Sequence, residues 1–342
     1  MSRQTVLLLF GGQSSEHDVS IMSARNVYAA LDSDKYEVKL TYIDKRGKWW
    51  LLDSWKENLS EHGGVQLVAA LGMGCFMTLP GNTIIPIDVA LPIMHGPNGH
   101  EDGALQGLFA LMNIPVVGSG IGASAVSWDK RYTKQILEVN GISVAPYRVH
   151  QYGDETPVYS DISAQLESDT LFVKPTTSGS SVGVSKVRSE AEFLPAIEEA
   201  LKHSDVILIE KAITGRELEV AVLGNPPSHQ ESGVGEIIAG EEFYNYQDKY
   251  SSNSTAQVVP HADIPNELSD EIRRIAHRAY EIIGCRGLAR IDFLVSDNEE
   301  IIINEFNTLP GFTSISQYPK LWAEQDIKYP ELIDRIIALA LE

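Results

Sequence analysis

The first part of the chain alternates short apolar runs with stretches in which apolar residues recur at helical spacing. Residues 6–10 (VLLLF) form an uninterrupted apolar run that predicts a buried strand, and the spacing of apolar residues over 19–31 predicts a helix. Further strands are predicted at 38–43 and 89–94, and a further helix at 105–112. This order of elements predicts a parallel sheet with crossover helices. Residues 51–82 show neither pattern, and we assign no regular element to them.

Two further units follow in the pattern. The second begins near Trp128 with a helix that ends at Asn140 and Gly141, a favourable pair for stopping a helix. It continues with predicted strands at 171–173 and 206–209 and a helix at 190–201. The third begins near residue 214, with predicted strands at 218–223 and 288–295 and helices at 267–283 and 330–341. We therefore expect a mixed α/β (α+β) protein with three domains, over residues 1–127, 128–213 and 214–342.

Composition narrows the possible partners. The 342 residues include 27 basic and 47 acidic ones, which gives a formal net charge of −20. This charge repels phosphate backbones and anionic lipid, so we expect no nucleic acid and no membrane surface as partner. No apolar run approaches the roughly 18 residues of a membrane span, and we expect a soluble, cytoplasmic protein. Cys75 and Cys285 lack CxxC spacing, which favours buried thiols over a disulfide or zinc site.

The strongest candidate for chemistry is a predicted hairpin over residues 288–307. Arg290 and Asp292 share one face of its first strand, and Glu305 and Asn307 share one face of its second. Two carboxylates and an amide oxygen are hard donors that suit Mg²⁺, and an arginine adds a bidentate donor for an oxyanion. The alternative is a solvated strand face with an ordinary surface salt bridge.

Two loops rich in glycine and hydroxyl residues are candidate anion sites. Lys174 ends a predicted strand and is followed by such a loop over 175–183, and a second loop of small residues covers 308–314. Backbone N–H groups and one lysine can hold a polyphosphate, although the first loop is not a Walker A sequence. Taken alone, it is more typical of a linker.

The strand predicted at 206–209 continues into charged residues. A purine slot needs apolar walls, a backbone with free polar groups and a carboxylate that reaches ribose. Glu210, Lys211 and Glu217 could supply these polar groups. The residues alone, however, favour a buried core strand that ends in polar residues.

The loop after the first strand is a candidate ammonium site. Residues 11–17 (GGQSSEH) lack the spacing of a dinucleotide fingerprint, but Glu16 at the helix entrance could hold a substrate ammonium group. A capping role or an interaction with the helix dipole is the more frequent role for a glutamate at such a position. His95, beside a second glycine loop, is either a site residue or a packed histidine.

Taken in order, these pieces resemble the ATP-grasp ligases, and within them the D-alanine–D-alanine ligase family. The matching stretches are FGGQSSEHDVS (10–20), HGPNG (95–99) with EDGALQG (101–107), WDK (128–130), VKPTTSGSSVGVSKV (173–187), IEKAITGRELEVAVLG (209–224), DKY (248–250), and GLARIDF (287–293) with NEFNTLPGFTS (304–314). The resemblance implies a three-domain ATP-grasp architecture with an N-terminal Rossmann-like parallel-sheet domain, a central domain and a C-terminal catalytic domain. It also implies a lid loop over about 240–256 and a homodimer formed by N-terminal domains.

The resemblance implies an ATP site between the second and third domains. Lys130, Lys174 and Lys249 would contact phosphates, and Glu217 would bind the ribose. Glu210 and the backbone of Lys211, Ala212 and Ile213 would read the adenine. Asp292, Glu305 and Asn307 would be the ligands of magnesium, as two ions, with manganese as a possible substitute.

It also implies the substrate contacts. Glu16 would hold the ammonium group of the first D-alanine, in a hydrogen-bonded triad with Ser180 and Tyr250. Arg290 and the Gly311 N–H would stabilise an oxyanion. His95 would lie near the first substrate, Ser316 would bind the carboxylate of the second, and Gln317 lies beside it.

The implied activity is the ATP-dependent joining of two D-alanines through a D-alanyl phosphate, in the synthesis of peptidoglycan precursors for cell-wall biogenesis and cell shape. Tyr250 favours an amine as the second nucleophile over D-lactate. The alternatives are D-lactate or D-serine as second substrate, or an ATP-binding module without catalysis.

The sequence departs from the family's motifs at two places. His100 is one residue more than the family has between the glycine at 99 and the acidic residue at 101, and this insertion would either displace His95 or bulge a surface loop. Thr177 lies in the segment between Lys174 and the serines of the following loop, and the residues of this segment are unusual for the family.

Overall fold

The computed structural model describes residues 3–59, 63–238, 257–313 and 315–342. The first unit consists of β1 (Gln4–Gly11), α1 (His17–Ala30), β2 (Tyr36–Ile43), β3 (Trp49–Leu52), β4 (Val65–Ala70), β5 (Cys75–Leu79), β6 (Ile84–Pro86), β7 (Val89–Pro92), α2 (Ala104–Met112) and α3 (Ile121–Trp128). Its seven strands have the order β6-β5-β4-β3-β2-β1-β7. Strand β1 pairs in parallel with β2 and with β7, as the alternation of strands and helices predicts.

The same sheet is extended by antiparallel strands. Pairing from β2 through β3, β4 and β5 to β6 is antiparallel, so the sheet is mixed. Most of this extension falls in residues 51–82, to which the sequence pattern assigned no element. The reason is burial: the middle strand, β4, exposes Val65 and buries only Leu67 and Ala70, so its hydrophobic alternation is weak.

The second unit is built on a four-stranded antiparallel sheet. It contains α4 (Lys130–Val139), β8 (Tyr147–Gln151), α5 (Tyr159–Leu166), β9 (Leu171–Pro175), β10 (Ser185–Val187), α6 (Glu190–Ala200) and β11 (Val206–Lys211). The strand order is β10-β9-β11-β8. The sequence pattern predicted β9, α6 and β11 but missed β8, in which only His150 is buried.

The third unit contains β12 (Gly215–Leu223), β13 (Gln230–Ile238), β14 (Gln257–Val259), α7 (Asn266–Ile283), β15 (Leu288–Ser296), β16 (Ile301–Asn307), α8 (Gln317–Ala323) and α9 (Tyr329–Ala340). Its five strands are antiparallel, in the order β14-β13-β12-β15-β16. Helix α7 covers one face of this sheet, where Val220, Ala276 and Ile291 belong to a single buried cluster. Side chains that alternate with these residues point to the opposite face.

The C-terminal helices connect the third unit to the first. Trp322 of α8 and Ile336 of α9 are buried in the same cluster as Phe10 and Leu91 of the first sheet. The division into domains at 127 and 213 stays a prediction. Among the described residues, no helix combines the length and the apolar character that crossing a membrane requires.

Candidate active site

The hairpin predicted over residues 288–307 is formed by β15 and β16. Cross-strand pairing places Arg290 opposite Asn307 and Asp292 opposite Glu305. Arg290 Nε and Nη2 donate to Asp292 Oδ1 and Oδ2, each at 2.7 Å, and Asn307 Nδ2 donates to Asp292 Oδ2 at 2.9 Å. Asp292 is buried. The structure therefore brings these four predicted side chains together, in contrast to a solvated strand face.

A further carboxylate, which the sequence reasoning missed, belongs to this cluster. Glu219 on β12 lies opposite Asp292 on β15, is buried, and approaches Arg290 Nε to 3.1 Å. Burial alone would lower the pKa of Arg290, but Asp292 and Glu219 raise it well above its ordinary value. The alternation of Glu217 and Glu219 on one strand face was the signal that could have identified Glu219.

Lys130 joins this hairpin to the loop that follows Lys174. It opens α4 behind the N-cap Asp129, whose side chain accepts a hydrogen bond from the backbone N–H of Arg131 at 3.0 Å. Lys130 Nζ lies 2.9 Å from Glu305 Oε1 and donates to the carbonyl of Ser178 at 2.7 Å. The start of the helix thus fixes a cation between two predicted site segments.

Glu210 is the centre of a buried ion cluster. It lies 2.7 Å from Lys174 and 3.0 Å from Lys134, and it is only 4% exposed. Burial would raise the pKa of Glu210, but the two ammonium groups lower it below its ordinary value. Lys134 was not predicted; its place one helical turn after Lys130 was the available signal. The cluster holds the Lys174 ammonium group against the end of β11.

The segment after Glu210 is partly engaged in backbone pairing. The N–H of Lys211 donates to the carbonyl of Pro146 at 2.9 Å, and the N–H of Ala212 donates to Thr170 at 3.1 Å. These two N–H groups are therefore already paired. Residues 211–213 and Glu217 line the same cleft as Lys174.

The predicted residues line two adjoining cavities. The larger, of about 690 Å³, lies between the four-stranded and five-stranded sheets, and its volume is within the range of roughly 300–1,000 Å³ that small-molecule sites show. It is lined by Lys130, Lys174, Glu210, Lys211, Ala212, Ile213, Glu217, Arg290, Asp292 and Glu305. The smaller, of about 140 Å³, is lined by Glu16, His95, Ser180, Gly311, Ser316 and Gln317, and Asn307 also borders it. Lys130, Ser180, Glu219, Arg290 and Glu305 border both cavities.

Glu16 and Ser180 meet at the smaller cavity. Ser180 Oγ donates to Glu16 Oε1 at 2.6 Å. Glu16 occupies the N-cap position of α1, but its side chain makes no capping hydrogen bond, so it does not cap the helix through its side chain. A Cβ at Gly179 would lie 3.2 Å from Glu16 Oε2, and one at Gly96 would lie 2.9 Å from the Ser14 side chain. The two glycines let both loops approach the carboxylate.

His95 and His100 have different environments. His95 lines the smaller cavity, with Nδ1 3.8 Å from Glu101 Oε1; burial would lower its pKa, but Glu101 and Glu16 raise it. His100 is fully buried, and its Nε2 pairs with the Val117 carbonyl at 2.8 Å. Burial lowers the pKa of His100 to about 4. The extra residue thus neither bulges a surface loop nor removes His95 from the cavity.

The loop after β16 closes the smaller cavity. Ser316 Oγ accepts from the Thr313 N–H at 3.0 Å, and a Cβ at Gly311 would lie 2.6 Å from this oxygen, so a side chain at Gly311 would displace Ser316. Gln317 Nε2 donates to the Val259 carbonyl at 2.8 Å, and its buried Oε1 has no hydrogen-bond partner within the described part of the chain. Lys249, Tyr250 and the predicted lid lie outside the described residues.

Comparison with known proteins identifies the family. The family model "D-ala D-ala ligase N-terminus" matches residues 5–119, and "D-ala D-ala ligase C-terminus" matches residues 136–338. The chain is 45% identical to D-alanine--D-alanine ligase A of Chromobacterium violaceum, over 100% of this chain and 96% of that protein. It is 40% identical to D-alanine--D-alanine ligase A of Escherichia coli strain K12, over 100% of this chain and 97% of that protein.

Solved structures show the same fold. The D-alanine-D-alanine ligase of Coxiella burnetii matches with a TM-score of 0.89 and 35% identity, over 100% of this chain and 94% of that one. VanG D-Ala:D-Ser ligase of Enterococcus faecalis matches with a TM-score of 0.89 and 31% identity, over 99% of this chain and 100% of that one. The expected ATP-grasp fold class is confirmed. Because both family models and full-length relatives agree, the chain belongs to the D-alanine–D-alanine ligase family.

Proposed function

We propose that the protein catalyses the ATP-dependent ligation of two D-alanines to D-alanyl-D-alanine, for peptidoglycan precursors, in the cytoplasm and as a homodimer formed by N-terminal domains. The observation that carries this proposal is the pair of adjoining cavities with Lys130 and Arg290 on their shared border. A cleft with several cations suits a nucleoside triphosphate, and the smaller cavity, with Glu16 and Ser316, suits small amino acids. Family membership supports the same activity.

In this proposal ATP occupies the larger cavity. Lys130 and Lys174 neutralise its phosphates, and Glu210 keeps the Lys174 ammonium group at its place through their 2.7 Å ion pair. Glu217 binds the ribose. The adenine is read by the backbone polar groups of residues 211–213 other than the N–H groups of Lys211 and Ala212, which are paired within the protein. Lys249 is a further phosphate contact in the proposed lid. The local cations explain how a chain with a net charge of −20 binds a polyanion.

The hairpin residues suit a divalent metal. Asp292 and Glu305 face each other across β15 and β16, Asn307 adds an amide, and oxygen donors of this kind fit Mg²⁺, or Mn²⁺ in its place. The positive charges of Arg290 and Lys130 balance the carboxylates of Asp292 and Glu305, so this group of side chains accommodates positive charge. Asp292, Glu305 and Asn307 would hold the metal, as the two ions that the family resemblance implies. The metal would neutralise the negative charge of the phosphate oxygens during phosphoryl transfer.

The first step joins the first D-alanine to phosphate. An oxygen of its carboxylate attacks the γ-phosphorus of ATP, the bond from that phosphorus to the bridging oxygen breaks, and ADP leaves with the electron pair. Glu16 holds the substrate ammonium group, and Ser180 fixes the Glu16 carboxylate by its 2.6 Å hydrogen bond. His95 lies beside the bound amino acid, and Tyr250 completes the triad in the proposed lid.

The second step forms the peptide bond. The uncharged amine of the second D-alanine attacks the carbonyl carbon of the acyl phosphate, and the carbonyl oxygen becomes an oxyanion. Arg290 and the Gly311 N–H stabilise this charge. The intermediate collapses as the bond from the carbonyl carbon to the phosphate oxygen breaks, and the leaving inorganic phosphate takes up the proton that the nitrogen loses. Ser316 binds the carboxylate of the second substrate, and Gln317 borders its position.

Product identification tests the proposal. The protein is incubated with ATP, Mg²⁺ and equal concentrations of D-alanine, D-serine and D-lactate, and phosphate release and product mass are measured together. We expect D-alanyl-D-alanine as the main product. A main product containing D-serine or D-lactate would overturn the substrate assignment, and phosphate release no faster than without protein would overturn catalysis.

A further inference from the structure

Three metal-binding side chains meet outside the catalytic cleft. His229 precedes β13, Glu231 lies in β13, and His277 lies on α7. Their candidate donor atoms all lie within 4.8 Å of one another. Glu231 pairs with Val222 of β12, which packs in the buried cluster under α7, so this group lies on the face of the sheet opposite the proposed ATP site.

The hydrogen bonds fix the tautomer of His229 and hold one ring nitrogen of His277 against Glu231. His229 Nε2 lies 3.3 Å from the backbone carbonyl of His277, and this contact assigns the proton to Nε2. His229 Nδ1 then carries a lone pair; it is buried, in a residue that is 6% exposed, and has no hydrogen-bond partner in the described part of the chain. His277 Nδ1 lies 2.6 Å from Glu231 Oε1, and its Nε2 lies 3.9 Å from Glu281.

We propose that His229, Glu231 and His277 form a binding site for a divalent transition metal ion with the preferences of Zn²⁺. Two imidazole nitrogens and one carboxylate oxygen are the ligands that Zn²⁺ favours, whereas Mg²⁺ favours oxygen ligands alone. The ion takes the place of the proton between His277 Nδ1 and Glu231 Oε1, and that proton leaves to solvent. The His277 carbonyl accepts from His229 Nε2 and orients that ring, and Glu281 Oε1 lies 3.9 Å from His277 Nε2 on the outer side of the site.

Binding requires a small rearrangement that the structure permits. The two imidazole rings are stacked, with centroids 3.9 Å apart and an angle of 21° between their planes. Zinc–nitrogen bonds of about 2.0–2.1 Å require both rings to direct their Nδ1 atoms to one point. The His277 side chain is 41% exposed, so it can turn off this stack without opening the core. The bound ion would then link β13 and the residues before it to α7.

The test is a zinc titration of the full-length protein with any histidine tag removed. The protein is stripped with chelator, exchanged into buffer with excess Mg²⁺, and titrated with Zn²⁺ in competition with a chromophoric chelator. His277→Ala and Glu231→Gln each remove one ligand. His203→Ala is the matched control, because His203, in the turn after α6, pairs with Glu199 at 3.3 Å without a third ligand nearby in the described residues.

We expect one zinc site in the wild type and in His203→Ala, with affinity about 100-fold lower or worse in the other two variants. The melting temperature should rise with Zn²⁺ in the wild type and in His203→Ala alone. Equal zinc affinity in all four proteins, or no binding to the wild type, would overturn the proposal. If both ligand variants fail to fold, X-ray absorption of the zinc-loaded wild type decides, since a coordination shell without two imidazoles would contradict it.

Discussion

The hydroxyl of Ser180 donates a 2.6 Å hydrogen bond to Glu16 Oε1, although 164 residues separate the two along the chain. Ser180 adopts a left-handed backbone conformation, with φ of 52°. Glu16 stands at the entrance to α1. The contact thus joins the loop after Lys174 to the first unit and fixes one carboxylate oxygen at the edge of the smaller cavity.

Removal of this hydroxyl should impair use of the first D-alanine. In Ser180→Ala, Glu16 loses a hydrogen bond to a charged group, which is worth about 1.5–3 kcal/mol. We expect kcat/KM for the first D-alanine to fall by roughly 10- to 100-fold in steady-state kinetics. Ser160→Ala, on the exposed side of α5, is the control and should behave like the wild type. Unchanged kinetics in Ser180→Ala would contradict the orienting role.

Lys134 should contribute more to stability than an exposed lysine. Lys134→Met leaves the buried carboxylate of Glu210 with Lys174 as its remaining ammonium partner, and breaking a buried pair costs about 3–5 kcal/mol. We expect a clear fall in melting temperature by calorimetry. Lys202→Met is the control: Lys202 pairs with Glu199 at 2.7 Å but is exposed, so little change is expected. Equal shifts for both variants would contradict this account.

Arg290 should act mainly on turnover. Arg290→Lys keeps a positive charge but loses the bidentate contact with Asp292 and the planar donor group at the border of the two cavities. We expect kcat to fall by about 100-fold or more, with ATP affinity less affected. Arg335→Lys, in an exposed pair with Glu331, provides the control. Wild-type turnover in Arg290→Lys would be inconsistent with an oxyanion role.

Gln317 should affect the second substrate. Its Nε2 donates to the Val259 carbonyl at 2.8 Å, and its buried Oε1 is the polar atom of this cavity-lining side chain that has no hydrogen-bond partner in the described residues. Gln317→Met has similar volume but removes both the Val259 hydrogen bond and the acceptor, and each hydrogen bond is worth about 0.5–1.5 kcal/mol. We expect KM for the second D-alanine to rise by roughly 2- to 10-fold, with KM for the first unchanged. An equal rise in both constants would count against this assignment.

His100 should make stability sensitive to mild acid. Its folded pKa of about 4 lies below the ordinary 6.5, so between these values the unfolded chain binds the extra proton. Stability therefore falls as pH decreases from 6.5 towards 4. His95, whose pKa is raised, acts above pH 6.5 instead, where its stabilising contribution is lost as pH rises through its folded pKa. Urea unfolding at a series of pH values should show a smaller pH slope for His100→Gln than for the wild type. Identical slopes would show that His100 does not control this range.

Local sequence determined those elements whose apolar residues form a clear pattern. The pattern was sufficient for β1, whose apolar run is buried without interruption, and for α1, β15 and β16, in which buried apolar residues recur among polar ones. It also placed Arg290, Asp292, Glu305 and Asn307 on one surface of a hairpin, since strand side chains alternate. It did not reveal β4 or β8, whose half-exposed faces give weak patterns. The family resemblance, carried by motifs along the chain, determined the class of enzyme.

Tertiary structure decided which distant groups became partners. Spacing places Lys134 one helical turn after Lys130 and Glu219 on the same strand face as Glu217. It does not indicate that Lys134 shares Glu210 with Lys174, that Glu219 joins Arg290, or that His100 is buried. Each outcome depends on packing between segments that are far apart in sequence. Burial in a low-dielectric interior then fixes the charge state, because a buried ion persists only beside a partner of opposite charge and a buried histidine without one stays neutral.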